Sequence, residues 1–450
     1  MSYLKRLQPP RCKVVNALLA VLVGMSLPLS AAAIDLSQSY ELALQNDRQL
    51  QAAKAKAAGD SEVMPQAIGQ MLPNLSFSAS RSSIEQVTTY GSRTYPKQSY
   101  PSEGKTLTLK QPLIRPYLLF QYGQAKSELQ RVDADLSLEQ QNLAVRVTSA
   151  YLEAIFARER QELIDAQKAS YYAQVKSATA AFRAGSGTRT DIDDAQAKYD
   201  RLLAQEIQAK QTIDATTNQL EVYVGQPVEA LSVLQVGRLR LDDFDPGELD
   251  TWMQRAVENS PELRSWTASV EAAKSGINMA RSGHSPTLDL VAQYSDSNSE
   301  SIYNVGSQST TKSIGLQLYV PLYAGGQVNS GIRQAQAQVD ERTERYEYTY
   351  RDVQLRVRKA YNSTREGIAT VHALEQAMHS AEQMVVSNRR GVKAGTRTSL
   401  NVLDAEQQRL QTQIDLAQAR YQTLQGWVQL MSLVNGMNSE EVGRINSLIF

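Results

Sequence analysis

Ser313-Ile-Gly-Leu-Gln-Leu-Tyr-Val-Pro-Leu322 alternates with a period of two. Ile314, Leu316, Leu318, Val320 and Leu322 take one face, and Ser313, Gly315, Gln317 and Tyr319 take the other. That pattern is a β-strand with one apolar side. Directly after it the period changes. Residues 327–394 hold no proline, and only Gly331 and Gly367 interrupt them far from the end. A single helix is expected there, about 100 Å long at 1.5 Å per residue. A compact globular domain has no use for such a helix, whereas a coiled coil does. A strand with one apolar face, joined to a helix of that length, is the combination that the fold must explain.

The same grammar occurs earlier in the chain. Leu44-Gln-Asn-Asp-Arg-Gln-Leu50 is echoed by Val257-Glu-Asn-Ser-Pro-Glu-Leu263, and Pro73-Asn-Leu75 by Pro286-Thr-Leu288. Gln111-Pro-Leu113 is echoed by Val320-Pro-Leu322, and Arg146-Val-Thr-Ser-Ala-Tyr151 by Arg356-Val-Arg-Lys-Ala-Tyr361. Ala184-Gly185 and Asp194-Ala-Gln196 return as Ala394-Gly395 and Asp404-Ala-Glu406. The motifs keep their order, so the chain reads as two structural repeats, 34–225 and 248–436, joined by 226–247 and followed by a tail, 437–450. Each repeat opens with a helical stretch (35–70, 248–282) and continues with a strand pair, about 74–115 and 286–323. In the first pair Leu75, Phe77 and Ala79 alternate with Ser76, Ser78 and Ser80. The polar stretches 82–104 and 296–312 read as loops. A long helix (117–184, 327–394), a Gly-bearing tip and a shorter helix (190–224, 399–434) complete each repeat. Leu400, Leu403, Gln407, Leu410, Ile414, Ala417, Tyr421, Leu424, Val428 and Met431 follow a 3,4 spacing, a heptad seam. The matching seam of the first repeat, Ile192, Ala195, Tyr199 and Leu202, turns polar at Glu206.

Residues 1–33 read as a cleavable leader. Lys5, Arg6, Arg11 and Lys13 precede an apolar run, Ala17 to Leu29, and Ser30-Ala31-Ala32-Ala33 offers a cleavage site. The only cysteine, Cys12, lies before that run, so it is neither a disulfide partner nor a lipid acceptor. The whole chain has 47 basic and 47 acidic residues, and removing the leader leaves a net of −4. Binding nucleic-acid phosphates needs the opposite excess. Three histidines and no cysteine in the mature chain argue against a metal centre, and a pair at His372 and His379 lacks further ligands. His284 reads as a turn residue. Phosphate loops, nucleophile elbows and catalytic carboxylate pairs are absent from the sequence, so an enzyme and a cofactor are not expected.

Four strands per chain cannot close a barrel, since the smallest filled one takes about eight. An open sheet with an apolar face leaves vulnerable edges. In lipid, unpaired backbone groups cost several kcal/mol each, so the strands of several copies must close into one ring. Strands of about 9–11 residues with alternating faces suit an outer-membrane barrel.

These features resemble the outer-membrane factors of Gram-negative bacteria, the TolC family. The resemblance covers residues 35–450. It is most specific at Leu44-Gln-Asn-Asp-Arg-Gln-Leu50 with its echo, at Pro73-x-Leu75 and Pro286-x-Leu288, and at Ala394-Gly-Thr-Arg-Thr-Ser-Leu-Asn-Val-Leu-Asp-Ala405. It implies an α+β membrane protein in the outer membrane: a homotrimer whose chains form one twelve-stranded β-barrel, continued by a coiled-coil periplasmic tunnel. It implies a passive exit duct working with a periplasmic adaptor (membrane fusion) protein and an inner-membrane ABC transporter or other pump. The absence of a lipid-acceptor cysteine is similar to the type I protein secretion branch; drug efflux with a proton-driven pump remains the alternative. A soluble periplasmic coiled-coil adaptor is the alternative of another class.

The tips are Arg183-Ala-Gly-Ser-Gly-Thr-Arg-Thr-Asp191 and Lys393-Ala-Gly-Thr-Arg-Thr-Ser-Leu-Asn401, within 391–404 for the second. Gly185 and Gly395 suit left-handed helix ends, and Thr188 with Asp191 and Thr398 with Asn401 have capping-box spacing. Asp191, Asp193, Asp194 and Asp404 read as an acidic cluster that copies around one axis would multiply. The family likeness implies a latch at Thr190, Asp191 and Arg397, a constriction at Asn401 and Asp404, and adaptor or pump docking at Gly185, Gly187, Gly395 and Thr396. The family commonly has an aspartate where Asn401 stands, and its aromatic latch position falls on Val392.

Overall fold

The computed structural model describes residues 33–232, 241–301 and 304–449. The leader, apart from Ala33, lies outside the described residues. The first half runs α1 (Leu36–Asn46), α2 (Arg48–Ser61), α3 (Val63–Gly69), β1 (Asn74–Gln86), the short pair β2 (Thr89–Tyr90) and β3 (Arg93–Thr94), then β4 (Gln98–Ile114), α4 (Pro116–Arg183) and α5 (Arg189–Val224). The second half runs α6 (Leu249–Asn259), α7 (Pro261–Arg281), β5 (Thr287–Ser301), β6 (Asn304–Tyr319), α8 (Gln327–Lys393), α9 (Ser399–Leu433) and α10 (Ser439–Ile449).

The motifs that recur in the sequence do recurring work. Asp47 caps α2 by accepting from the Leu50 N–H at 2.7 Å, and Asn46 donates its amide to the Val224 carbonyl at 2.8 Å, closing α5. Gly225 sits there at φ +77°, and a Cβ on it would lie 2.6 Å from the Asn46 Cβ, so glycine is required. Arg146 of α4 reaches Asp47 and Glu139, while Arg356 of α8 reaches Glu262 and Asp352. The Tyr151 hydroxyl donates to the Ile34 carbonyl at 2.9 Å, and that of Tyr361 to the Gly247 carbonyl at 2.6 Å. Each Arg…Tyr motif therefore ties a long helix to the start of its own half.

The largest core lies where these ends meet. Leu36, Leu143, Tyr151, Leu220, Phe244, Val353, Val357 and Leu430 are buried in it. Trp427 meets Trp252 and Phe244 edge-on, with ring centroids 5.6 and 5.7 Å apart. Residues 437–450 were expected to be a tail, yet α10 is a packed helix. Val442, Ile445 and Ile449 are fully buried, and Asn446 accepts from the Leu36 N–H at 3.1 Å. Their i, i+3, i+7 spacing gives that short helix one apolar stripe.

The sheet has the order β1-β4-β5-β6, all antiparallel, with β1 and β6 at its edges. Leu75, Leu109, Ala292 and Ile314 stand opposite one another, as do Phe77, Leu107 and Tyr294, then Leu290 with Leu316 and Leu288 with Leu318. These rows make one face that is apolar except for Gln111 beside Leu290 and Lys312 beside Tyr294, and on it Ile314 and Leu316 are 76% and 66% exposed. The other face carries Ser76, Thr108, Gln293 and Ser313 in one row and Ser78, Thr106, Ser295 and Thr311 in the next. At the foot of this polar face the buried Asp289 takes a bidentate pair from Arg115 at 2.9 and 2.6 Å and a third contact from Lys110 at 3.1 Å.

The strands are longer than expected, at 13, 17, 15 and 16 residues. They run through most of 82–104 and 296–312, which the sequence suggested were loops. In those parts both faces are mostly polar, with Ile84 opposite Tyr100 as an isolated pair, so no period-two signal builds up, although backbone pairing continues from Ser82↔Ser102 to Gln86↔Gln98. The last strand stops at Tyr319, short of the expected Leu322, because Pro321 has no N–H to offer the ladder.

Below the sheet, α4 packs on α5 and α8 on α9 as two antiparallel hairpins, with α4 also touching α9. On α5 the buried positions Ala195, Leu202 and Ala209 repeat every seven residues. The polar break in that seam has a cause: Glu206 takes Lys168 of α4 at 2.6 Å and Lys210 at 2.7 Å. On α9 the burial is wider than a heptad seam. Val402, Ala405, Glu406, Leu416 and Thr423 are buried beside it and Gln407 is exposed, since α9 faces α8 on one side and α4 on another.

Candidate functional site at the helix tips

Both tips use one backbone solution. Ala184 and Ala394 end the long helices, and Gly185 and Gly395 follow at φ +74° and +73°. The Ser186 N–H donates to the Ala181 carbonyl and the Gly185 N–H to that of Phe182. The Thr396 and Gly395 N–H groups repeat this on Gly391 and Val392. Two such Schellman turns fix where the shorter helices begin.

Thr188 and Asp191 form a capping box: the Thr188 N–H and hydroxyl donate to Asp191 Oδ2 at 2.9 and 2.7 Å, and the Asp191 N–H donates to Thr188 Oγ1 at 3.2 Å. At the second tip the Thr398 N–H and hydroxyl both donate to Asn401 Oδ1 at 3.0 Å. Asp191 then does something its partner Asn401 does not. Its other oxygen, Oδ1, accepts from the Ser399 hydroxyl at 3.0 Å, joining the two hairpins. The Thr188 hydroxyl and N–H, followed by Ser399, hold the Asp191 carboxyl below the usual carboxylate range.

Three further contacts lace the hairpins within the next turns. Lys198 of α5 places its ammonium on Asp404 of α9 and lies 3.4 Å from Gln407 Oε1. Glu406 is 2% exposed and takes Arg389 of α8 at 2.6 Å on one oxygen and the Ser170 hydroxyl of α4 at 2.9 Å on the other. The Tyr171 hydroxyl donates to the Leu403 carbonyl at 3.3 Å. Burial pushes the Tyr171 phenol up to about 12, so it remains a donor throughout the neutral range. Between the hairpins lies an open groove of about 1020 Å³, with Ser170, Gly187, Thr190, Asp191, Val392 and Leu400 among its walls.

The structure places the expected site residues together at this end but does not assemble them as a set. Thr190 is exposed on the groove wall. Arg397 is exposed, lies against Gly391 and forms no ion pair among the described residues; within the chain it does not meet Asp191. The four aspartates do not converge either. Asp191 goes to Thr188 and Ser399, Asp193 to Arg189 at 3.2 Å, and Asp404 to Lys198, while Asp194 forms no ion pair among the described residues. Ser399, Lys198, Glu406, Arg389 and Ser170 were not singled out in the sequence. One signal was available: where the two repeats match as Asp-Ala-Gln and Asp-Ala-Glu, Glu406 is the charged departure. Among the described residues, no group of three or more His, Cys, Asp or Glu is placed to hold a metal ion.

Comparison with known proteins follows this geometry. The profile of the family described as Outer membrane efflux protein matches residues 39–226 and 252–436. The chain is similar to the Proteases secretion protein PrtF of Dickeya chrysanthemi, 33% identical over 94% of this chain and 93% of the relative. It is also similar to the Outer membrane protein TolC of Escherichia coli (strain K12), 27% identical over 97% of this chain and 90% of that one. Among solved structures, the outer membrane protein VceC from Vibrio cholerae superposes with a TM-score of 0.74 at 21% identity, over 89% of this chain and 96% of that chain. The chain therefore belongs to the outer membrane efflux protein family.

Proposed function

We propose that three copies of this chain build one outer-membrane channel-tunnel, a passive exit duct across the periplasm and the outer membrane. The observation that carries this reading is the sheet. One chain supplies four antiparallel strands with an apolar face, a polar face and two free edges. Because β1 and β6 are antiparallel to each other through an even number of strands, β6 of one copy pairs with β1 of the next without a mismatch. Three copies give twelve strands, enough to close a barrel, where four are too few. The apolar rows from Leu288 to Tyr294 run for seven residues, about 24 Å along the strand, which at a barrel tilt of about 40° rises roughly 18 Å of an apolar band about 25 Å tall. The polar parts of the strands beyond them continue the barrel into water on the far side. The α4–α5 and α8–α9 hairpins extend the duct through the periplasm.

The similarity to a protein named for protease secretion favours type I export of a polypeptide, with an ABC transporter and an adaptor supplying energy and contact. Drug efflux with a proton-driven pump is the second reading. The tip turns at Gly185, Gly187, Gly395 and Thr396 take the adaptor. Thr190, Asp191 and Arg397 latch the mouth between neighbouring copies, with Asn401 and Asp404 at the constriction. No enzyme activity and no cofactor belong to this reading.

Two measurements test it. Outer-membrane fractions should yield a heat- and SDS-resistant trimer; recovery as a water-soluble monomer would overturn the duct. In planar bilayers Arg397→Ala should raise the conductance of the resting trimer, and an unchanged low conductance would remove Arg397 from the latch.

A further inference from the structure

We propose that Lys198 sets the charge selectivity of the periplasmic mouth by cancelling the Asp404 carboxylate of its own chain. This rests on the duct reading above, in which Asp404 lines the constriction. The geometry is one-sided. The Lys198 side chain is 17% exposed and wedged between α5 and α9, whereas that of Asp404 is 60% exposed. The carboxylate faces water while its counter-ion reaches it from behind, with Gln407 as a second acceptor at 3.4 Å.

The surrounding charges do not restore an acidic mouth. Asp194 and Arg201 lie one turn to either side of Lys198 on α5, and together with Arg160 of α4 they line the same recess of about 330 Å³. Asp194 and Asp404 are matched by Lys198 and Arg201, and Arg160 adds a further cation. Asn401, one turn before Asp404, is neutral and committed to the Thr398 cap. Three such chains around an axis present a mouth without the net negative ring that would trap cations.

A purely structural role explains the pair less well. The position matching Lys198 in the second repeat is Gln408, and its counterpart of Asp404 is Asp194, which has no ion pair among the described residues. No cation stands at the matching position of the second repeat. An ion pair with one exposed partner also contributes little to stability, typically less than about 1 kcal/mol. Its larger effect is on the local field, because removing the ammonium uncovers one carboxylate per chain, and all of them face a common axis.

The experiment uses the full-length trimer in planar bilayers, with reversal potential in a KCl gradient and block by La³⁺ as readouts. Wild type should show weak charge selectivity. Lys198→Gln should become cation-selective and be blocked by La³⁺ at a concentration on the order of tenfold lower or less. Lys198→Arg should behave as wild type, and Lys198→Gln with Asp404→Asn should lose the gained block. A wild-type pore that is already strongly cation-selective would overturn the proposal, as would a conducting Lys198→Gln trimer with unchanged selectivity and block. A wild-type trimer that conducts nothing would overturn the duct reading and this proposal with it.

Discussion

Removing Arg389 should loosen the end of the second hairpin more than any other truncation on that face. Glu406 is 2% exposed, and Arg389 satisfies one of its oxygens at 2.6 Å; Ser170 holds the other at 2.9 Å. In Arg389→Ala a nearly buried carboxylate loses its charged partner and keeps one hydroxyl. A charge-assisted hydrogen bond is worth about 1.5–3 kcal/mol. The upper range of about 3–5 kcal/mol for an orphaned buried charge does not apply, since the Arg389 side chain is 59% exposed and water can take its place. The cost is local, so amide hydrogen exchange across residues 386–408 is the suitable assay, rather than global melting. Protection there in the purified protein should fall by roughly 10- to 150-fold. Glu406→Gln should cost less, because an amide still accepts from Ser170. Combining it with Arg389→Ala should add little to the arginine truncation alone, the coupling expected of residues in contact. Strictly additive losses in that double-mutant cycle would refute the reasoning and reduce the pair to a solvated contact.

The Asp191 link should respond to acid in one direction only. Its carboxyl is held below the ordinary value, so its contribution is complete above about pH 4 and disappears as pH falls through the lowered value; tip protection factors, corrected for the intrinsic exchange rate, should be flat from pH 8 to 5, and Asp191→Asn should remove the acid-induced loosening. On the sheet, Leu316→Arg should destabilise insertion into lipid vesicles by about 2–4 kcal/mol per chain, while Gln293→Arg on the opposite face should be tolerated; equal effects would contradict the assignment of the lipid face. Gly395→Ala should cost about 1–2 kcal/mol from backbone strain alone, since φ is +73° and a Cβ there meets nothing within 4 Å. Gly225→Ala should cost more by denaturant titration, because its Cβ would also collide with Asn46.

The long helices were legible because 68 and 67 residues without an internal proline admit few other structures. The strands were legible only where lipid demands an apolar face. Above Phe77 and Tyr294 both faces are mostly polar and the alternation vanishes, although the backbone ladder does not. The pairing of β4 with β5 could not be read, because neither strand says which partner lies beside it across nearly 200 residues. The α10 stripe, Val442, Ile445 and Ile449, was present in the sequence but too short to stand out from a tail. At the tips, the glycine turns and capping spacings are local and could be anticipated. The acidic cluster was an inference from nearness along the chain, and helical rotation of about 100° per residue keeps only part of it on one face. Asp191 and Asp194, three residues apart, share a face of α5 and line the same groove, whereas Asp193 turns away to Arg189.

What remains unreadable has a common physical character, and it explains why this end of the molecule is the one suited to move. Near the tips the two hairpins are joined by polar contacts that cross more than 200 residues of chain, Asp191 with Ser399, Lys198 with Asp404, and Ser170 with Glu406, around a small apolar cluster that includes Tyr171, Ala195, Leu202, Leu403 and Leu410. Individually each is worth about 0.5–3 kcal/mol, and each can be exchanged for water. At the other end of the same helices, Trp252, Trp427, Phe244 and Leu430 bury large apolar surfaces that water cannot replace at similar cost. The two hairpins are therefore held at one end by a large apolar core and at the other by a smaller apolar cluster with exchangeable hydrogen bonds around it. Local opening follows the weaker end, so separation of the hairpins starts at the tips and leaves the Trp252–Trp427 core intact.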